Sequence, residues 1–435
     1  SWAEMAKPWV DYMARNSYLL QQGRNVADVA YFYGEERPLT SIYDEKPLGD
    51  APNRYAYDFA NADVVLNRLN VDNGDLVAPG GARYRALYLG GSSARMTLPV
   101  LRRLAELVQA GATVVGNAPQ ASPALNDDPA AFGALVRQLW PGSSTSTVGR
   151  GRVIAGADIE KALAEIGVIP DFEYAKPQAD SEILFVHRKL ADGDSYFLSN
   201  RRDRAEHVEA RFRVSGKAPE IWRADTGSVE PVSYRTEGGV TIVPLDIAPE
   251  DSFFVVFRKP ASAPSVTIAP RVLTPVQTIS GAWSVAFQAD RGAPASTTLE
   301  TLAPLNESSD AGVRYFSGVA TYTKTFDLAR RVKPGAPLKL DLGGIGDVAE
   351  VRVNGQSVGT VWHAPYQLDI GKAVRRGRNR IEVRVANLWV NRLIGDAQKG
   401  AKKVTYTSLP AYKADAPLRP AGLLGPVALM TRSAD

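Results

Sequence analysis

The chain has 435 residues, 45% of them hydrophobic and 23% charged, an ordinary balance for a folded protein with length for roughly two to four domains. Its 51 basic and 47 acidic residues leave a formal charge of +4 with no Lys/Arg block, which argues against a nucleic-acid partner. The absence of cysteine excludes disulfides, zinc–thiolate sites and a cysteine nucleophile, and fits either the cytoplasm or a bacterial periplasm.

No stretch approaches the roughly 18 consecutive apolar residues of a membrane span, so no such span is expected. At the start of the chain Trp2, Met5, Trp9, Tyr12, Met13, Leu19 and Leu20 recur near helical spacing. A lone amphipathic helix needs a surface to cover. Residues 1–25 are therefore expected to be the terminal helix of a preceding domain, which makes the chain the C-terminal part of a longer protein.

From Val26 the pattern alternates between strands and helices. Val26 to Tyr33 and Tyr84 to Leu89 read as strands, and Ala62 to Leu69 as a short helix. Met96 to Ala110 reads as an amphipathic helix with Leu98, Leu101, Leu104 and Val108 on one face and Gly111 as its cap. A strand at Thr113 to Val115, a helix from Pro129 to Trp140, and a strand and helix around Val153 and Asp158 to Ile166 complete the set. Such alternation implies a parallel sheet covered on both faces, a flavodoxin-like or amidotransferase-like α/β layer over residues 26–172.

In such sheets ligands bind beyond the carboxyl ends of the strands, which draws attention to Gly90-Gly91-Ser92-Ser93. The sequence matches neither phosphate loop, and Gly-x-Ser-x-Ala lacks the last glycine of a nucleophile elbow. A tight turn capped by serine is the plainer reading. Glu35-Glu36, after the first strand, are the best local acid pair. Neighbours on an extended chain point to opposite sides, however, so a solvated loop is expected. Asp58 and Asp63 flank a helix start, where the dipole alone favours acids. The Asp72-Asn73-Gly74-Asp75 run lacks the spacing of a calcium loop and reads as an acidic turn.

Residues 173–260 hold seven short segments with turns between them, starting at Ile183, Asp194, His207, Glu220, Val229, Val240 and Asp251, which indicates an antiparallel β-sandwich. The alternation is clean, with Val208, Ala210, Phe212 and Val214 facing in and Glu209, Arg211 and Arg213 out. Lys259 to Pro264 is a linker by composition. In residues 261–435, strands are marked by Val351/Val353, Val358/Val361 and Ile381/Val383/Val385 and by turns at Asn354-Gly355 and Gly377-Arg378-Asn379. The wording "VNGxxVG", "HAPYQLDI", "VANLWVNRLIGD" and "GLLGPVAL" resembles the galactose-binding-like jelly roll of family 2 glycoside hydrolases and their relatives.

The order of the parts resembles one family over nearly the whole chain. "YMARNSYLLQQGRNVADVAYFYGEE", "YDFANADVVLNRL", "LPVLRRLAELVQAGATVVG", "ILFVHRKLADGDSYFLSN" and the final sandwich are together similar to the C-terminal half of glycoside hydrolase family 106, the α-L-rhamnosidases. The resemblance implies an inverting hydrolase whose two catalytic glutamates lie in a (β/α)8 barrel before this chain. It also implies calcium in that barrel, none held here, and a periplasmic or secreted location. On that reading the catalytic inventory and the metal inventory of these residues are empty. The partners expected are the protein's own barrel and a rhamnosylated carbohydrate.

A sugar-contact reading remains for the jelly roll. Aromatic rings stack on the apolar faces of pyranoses, and Trp362, Tyr366 and Trp389 stand near strand ends with His363, Asn387, Asn391 and Arg392 close by. The alternative is that the tryptophans fill a core, with "NLWVNRLIGD" a strand facing Leu388 and Val390 one way and Trp389 and Asn391 the other. The segment from Asp396 to Ala421 is long for a bare connection and carries Tyr406, Tyr412, Lys413, Asp415 and Arg419, a mixture suited to a polyhydroxylated ligand. It is expected to pack over the barrel. The carbohydrate-contact candidates are thus Trp362, His363, Trp389, Asn391, Tyr412 and Asp415. A free-standing lectin-like protein is the competing function, disfavoured by the apolar stripe of residues 1–22.

Overall fold

A computed structural model describes residues 2–36, 48–156, 158–269, 273–329 and 337–432. These form mostly β-sheet with few helices and divide into two units: residues 16–268, and residues 1–15 together with 269–435. No described helix is long and apolar enough to cross a membrane.

In the first unit five strands run parallel: β1 (Val29–Phe32), β2 (Tyr57–Ala60), β3 (Ala86–Leu89), β4 (Thr113–Val115) and β5 (Gly151–Ile154). Their order across the sheet is β2-β1-β3-β4-β5, with Thr145–Val148 added antiparallel at the β5 edge. Both faces are apolar because both are covered. Ala30, Phe32, Leu87, Leu89 and Val114 meet helices α2 (Ala62–Asn67), α3 (Leu98–Ala110) and α4 (Pro129–Leu139) on one side. Val29, Tyr31, Ala86, Tyr88 and Val115 meet α5 (Ile159–Glu165) on the other. The apolar face of α3, Leu98, Leu101, Leu104 and Val108, is at most 3% exposed, which is worth about 1.5–3 kcal/mol per side chain. Gly111 ends that helix at φ +125 with its N–H donated to the carbonyls of Leu107 and Val108.

Strand β2 was missed from periodicity because its Tyr57-Asp58-Phe59-Ala60 run carries a charge and abuts the Asn61 cap of α2. The Asp72 to Asp75 turn is the tip of a small hairpin, Asn70–Asp72 with Asp75–Val77. Asn73 and Gly74 supply the two positive φ values, 52 and 87, that such a two-residue turn needs.

The same unit continues into two antiparallel sheets around one core. One contains β6 (Ile183–Lys189), β7 (Asp194–Asn200), β12 (Ser252–Pro260) and β9 (Lys217–Trp222); the other contains β8 (Glu206–Phe212), β11 (Val240–Ile247) and β10 (Tyr234–Glu237). The predicted alternation is met at Val208, Ala210, Phe212 and Val214, none above 7% exposed. The single strand expected over Val229 to Arg235 is two: Val229–Pro231 pairs with β9, whereas Tyr234–Glu237 pairs with β11 in the opposite sheet. Pro231, Val232 and Ser233 let the chain cross between layers there.

The second unit is built on two antiparallel sheets packed face to face. One sheet has the order β13 (Leu273–Thr278), β22 (Ala428–Arg432), β17 (Leu338–Asp341), β20 (Gln367–Asp369). The other has the order β15 (Ser296–Leu299), β14 (Trp283–Phe287), β16 (Val319–Asp327), β21 (Arg378–Ala386), β18 (Val348–Val353), β19 (Gln356–Val361). Trp283, Tyr322, Val351, Val353, Ile381, Val383 and Val385 are buried between them. The Gly377-Arg378-Asn379 turn owes its fixity to Asn379, whose side chain accepts from the N–H of Arg375 and the amide of Asn354 and donates to the carbonyls of Arg375 and Gly377.

One expectation changes here. "NLWVNRLIGD" is not a strand, because β21 ends at Ala386 and Val390–Asp396 is a short helix, α6. Asn387 stops the strand by turning its carbonyl oxygen onto the N–H of Gly422 at 2.6 Å, and an Arg392–Asp396 pair at 3.0 Å then joins successive turns. The opening segment is indeed helical, a 3-10 turn at Trp2–Met5 and then α1 (Lys7–Leu20). Its first fifteen residues group with this sandwich.

Candidate carbohydrate site

In the second unit Trp2, Met5, Ala6 and Trp9 come together with Asp347, Val348, Trp362 and Leu388 around an open pocket of about 230 Å³. The helical stripe of the first residues thus supplies one wall, and the start of β18, the end of β19 and Leu388 before α6 supply the other. Trp362 meets Tyr12 edge-on at 5.1 Å and His363 at 4.5 Å. The Nδ1 of His363 lies 2.8 Å from the carbonyl of Ala364, which fixes the ring beside Trp362. Trp2 and Trp9 are 37% and 44% exposed, so their rings line a concavity instead of filling a core.

Asp347 is the polar group of this pocket. Its backbone has φ +80, a left-handed conformation that aspartate tolerates better than most residues. Its Oδ2 accepts the N–H of Leu388 at 2.8 Å. Burial raises the carboxyl above the ordinary aspartate range, against the opposing effects of that N–H and the charge of Arg419.

The other sequence candidates divide. Trp362 and His363 belong to the pocket. Trp389 precedes α6 and carries the Arg291 guanidinium over its ring at 4.9 Å. Asn391 is buried, and its amide both donates to the carbonyl of Arg419 and accepts the N–H of Arg419, at 2.7 and 2.8 Å. Its side chain therefore holds the 397–421 segment in place. Tyr412 and Asp415 lie exposed on that segment. Asp396 anchors it as well, accepting from the N–H groups of Val404 and Thr405 and from the Thr405 hydroxyl. Sequence reasoning missed Asp347, Trp2 and Trp9 as pocket residues. The signal available was the apolar stripe of residues 2–12, which needed a surface.

In the first unit the carboxyl ends of β1 and β2 open into a crevice of about 420 Å³ lined by Tyr33, Gly34, Glu35, Glu36, Asn61, Ala62 and Asp63. Its acids are engaged. Glu35 is not a solvated residue: its two carboxylate oxygens accept the N–H and the hydroxyl of Thr97 at 2.7 and 2.9 Å, at the start of α3. Glu36 pairs with Arg95 at 3.4 Å. Ser92 donates to the carbonyl of Tyr33, and a Cβ on Gly91 would fall 2.5 Å from that same oxygen. The glycines let two loops touch. Asp58 takes the hydroxyl of Tyr84 and the amide of Asn25, both at 3.0 Å, and Asp63 lies in the first turn of α2. Asp72 and Asp75 both bind Arg83, an arrangement that does not fit a calcium ion. No group of three or more metal-ligating side chains occurs among the described residues.

A family model for alpha-L-rhamnosidase, glycoside hydrolase family 106, matches residues 1–236. One for the galactose-binding-like domain of glycosyl hydrolase family 2 matches residues 303–419. The solved rhamnosidase of Novosphingobium sp. PP1Y is 57% identical with a TM-score of 0.88, over 99% of this chain and 41% of that one. A Formosa agariphila protein provisionally named a beta-glucuronidase is 24% identical, over 98% of this chain and 57% of that protein. A Ruminococcus gnavus beta-glucuronidase structure is 16% identical over 38% of this chain and 30% of that one, with a TM-score of 0.28. The chain therefore spans about half the length of the proteins it matches.

Proposed function

The chain belongs to glycoside hydrolase family 106, the α-L-rhamnosidase family, and from that membership we propose that it is the accessory, non-catalytic portion of an inverting α-L-rhamnosidase. Its role on this reading is to support a catalytic barrel that lies outside these residues and to contact carbohydrate through the jelly roll. The observation that carries the proposal is the match to 41% of a rhamnosidase at a TM-score of 0.88. None of the described sheets contains eight parallel strands. Inverting hydrolysis needs two carboxyls about 6.5–9.5 Å apart across a bound glycoside. The acids at the β1–β2 crevice are already used as a helix cap and an ion pair.

The finer architecture proposed is a flavodoxin-like or amidotransferase-like layer over 26–172, an antiparallel sandwich over 173–260 and a jelly roll from 261, with residues 1–25 leading in from the barrel. Calcium, on the same reading, is held by the barrel. The competing reading, a free-standing lectin-like protein, rests on the jelly roll alone and leaves the match across residues 1–236 without a role.

The test is hydrolysis of an aryl α-L-rhamnoside. The 435-residue chain should release no rhamnose above background, and the longer protein containing it should do so with inversion. Turnover by the chain alone, abolished by replacing one of its own acids, would overturn the proposal.

A further inference from the structure

Three features converge on the pocket between the first helix and the jelly roll. It is concave and about 230 Å³, below the roughly 300–1,000 Å³ of drug-sized sites and suited to a single ring. Its walls are three indoles with Met5, Ala6, Val348 and Leu388, so every surface but one is apolar. The exception, Asp347, has one oxygen fixed by the Leu388 N–H and is held in a left-handed backbone conformation at φ +80. A carboxylate in the wall of an aromatic pocket is chemistry for a ligand with one polar edge and one apolar face.

We propose that the pocket formed by Trp2, Trp9, Trp362 and Asp347 is a non-catalytic binding site for a single 6-deoxyhexopyranose unit of a glycan. The C–H face of the ring stacks on an indole, a ring hydroxyl donates to Asp347, and the 6-methyl group meets the aliphatic wall. A hexose bearing a 6-hydroxyl has to bury that group against Met5, Ala6 and Leu388 without a partner, which disfavours it. The ligand class rests on the rhamnosidase reading above; the pocket and its polarity do not. Because burial raises the Asp347 carboxyl, and a protonated carboxyl is a poorer acceptor, affinity falls on acidification earlier than an ordinary aspartate predicts.

The test is titration of the longer protein that contains this chain with methyl α-L-rhamnopyranoside and, separately, methyl α-L-mannopyranoside, which differs from it only by the 6-hydroxyl, read by tryptophan fluorescence and saturation-transfer NMR. To keep the barrel's own site silent, its catalytic site is first blocked by a tight inhibitor. Saturable binding of the rhamnoside is expected, with the mannoside roughly tenfold weaker. Trp9→Ala and Trp362→Phe, each checked for an unchanged melting temperature, should weaken binding several-fold, up to about tenfold. Asp347→Asn should weaken it and remove the pH dependence. No binding, or binding indifferent to Trp9→Ala and Asp347→Asn, overturns the inference, including the case in which another part of the protein covers the pocket. Hydrolysis of α-L-rhamnosides without such binding defeats this inference alone; binding in a protein that hydrolyses no rhamnoside defeats the functional reading alone.

Discussion

His187 Nδ1 lies 2.9 Å from Asp171 Oδ1, and the far nitrogen of the same ring, Nε2, lies 3.0 Å from Asp194. The ring is 4% exposed and stacks on Tyr196 at 4.0 Å. Tyr196 donates to Asp171, Lys189 pairs with Asp194, and Arg213 reaches Asp171 at 3.5 Å and Asp28 at 2.9 Å. Burial alone would depress the imidazole, but hydrogen bonds to two carboxylates on opposite nitrogens require both to carry protons, and the net shift is upward. This network ties the first residues of the parallel layer, at Asp28, to the sandwich.

That imidazolium predicts alkaline sensitivity. The folded histidine binds its proton more tightly than the unfolded one, whose value is about 6.5. Its contribution to stability is complete below that pH and is lost as pH rises towards the folded value. Asp194 acts on the other side. Although burial opposes it, His187 and Lys189 hold its carboxyl below the ordinary range, so its contribution is present above about 3.9 and is lost as pH falls through the folded value. Denaturant titrations should show stability falling above neutrality. His187→Ala should cost about 3–5 kcal/mol and abolish that slope, because two buried carboxylates then lack their shared cation. An alkaline slope unchanged in a folded variant would refute the assignment.

The crevice at the carboxyl ends of β1 and β2 is predicted to be catalytically silent. Glu35→Gln weakens the anchor on Thr97 and Ser92→Ala removes one turn hydrogen bond, each costing on the order of 1 kcal/mol. Turnover of the longer protein should be unchanged in both. A folded Ser92→Ala protein that loses activity would assign chemistry to this layer.

Asp396 is expected to control the order of residues 397–421. Burial pushes its carboxyl up, yet the donors from Thr405 and Val404 and the charge of Arg392 hold it below the ordinary range. Asp396→Asn weakens charge-assisted bonds worth about 1.5–3 kcal/mol. Tryptic cleavage at Lys402, Lys403 and Lys413 should then quicken roughly tenfold or more, since cleavage follows the population of the opened segment. Equal cleavage rates would show that the segment is held by other means.

Gly422, in the closing "GLLGPVAL" motif, has φ +89, and a Cβ there would fall 2.2 Å from the Tyr322 hydroxyl and 2.8 Å from Leu305. Gly422→Ala should lower stability by about 1–3 kcal/mol through strain and overpacking together. Gly400→Ala is the control, since Gly400 has φ +76 but no heavy atom near its absent Cβ, so only the backbone strain remains. Adding Tyr322→Phe should recover part of the loss at Gly422 alone. Equal melting temperatures for the two glycine variants would remove the steric argument.

Local chemistry written in consecutive residues was readable in the chain itself. The period of α3, the hydrophobic alternation of β8, the Asn354-Gly355 and Asn73-Gly74 turns and the glycine stop at Gly111 each depend on neighbours a few positions away, and short-range sterics and burial pattern decide them. The family resemblance was legible for the same reason, through ordered runs of such segments. Tertiary structure decided what depends on contacts between distant positions. Asp347 becomes a pocket residue only when the first helix of the chain lays Trp2 and Trp9 beside Trp362, more than three hundred positions later. "NLWVNRLIGD" reads as a strand by alternation and folds as α6 because Asn387 is captured by Gly422. Asn391, chosen from sequence for its hydrogen-bonding groups, spends them on the backbone of Arg419. A polar side chain carries the same donors and acceptors in a site as in a brace, and only the partner that folding brings within 3 Å distinguishes the two.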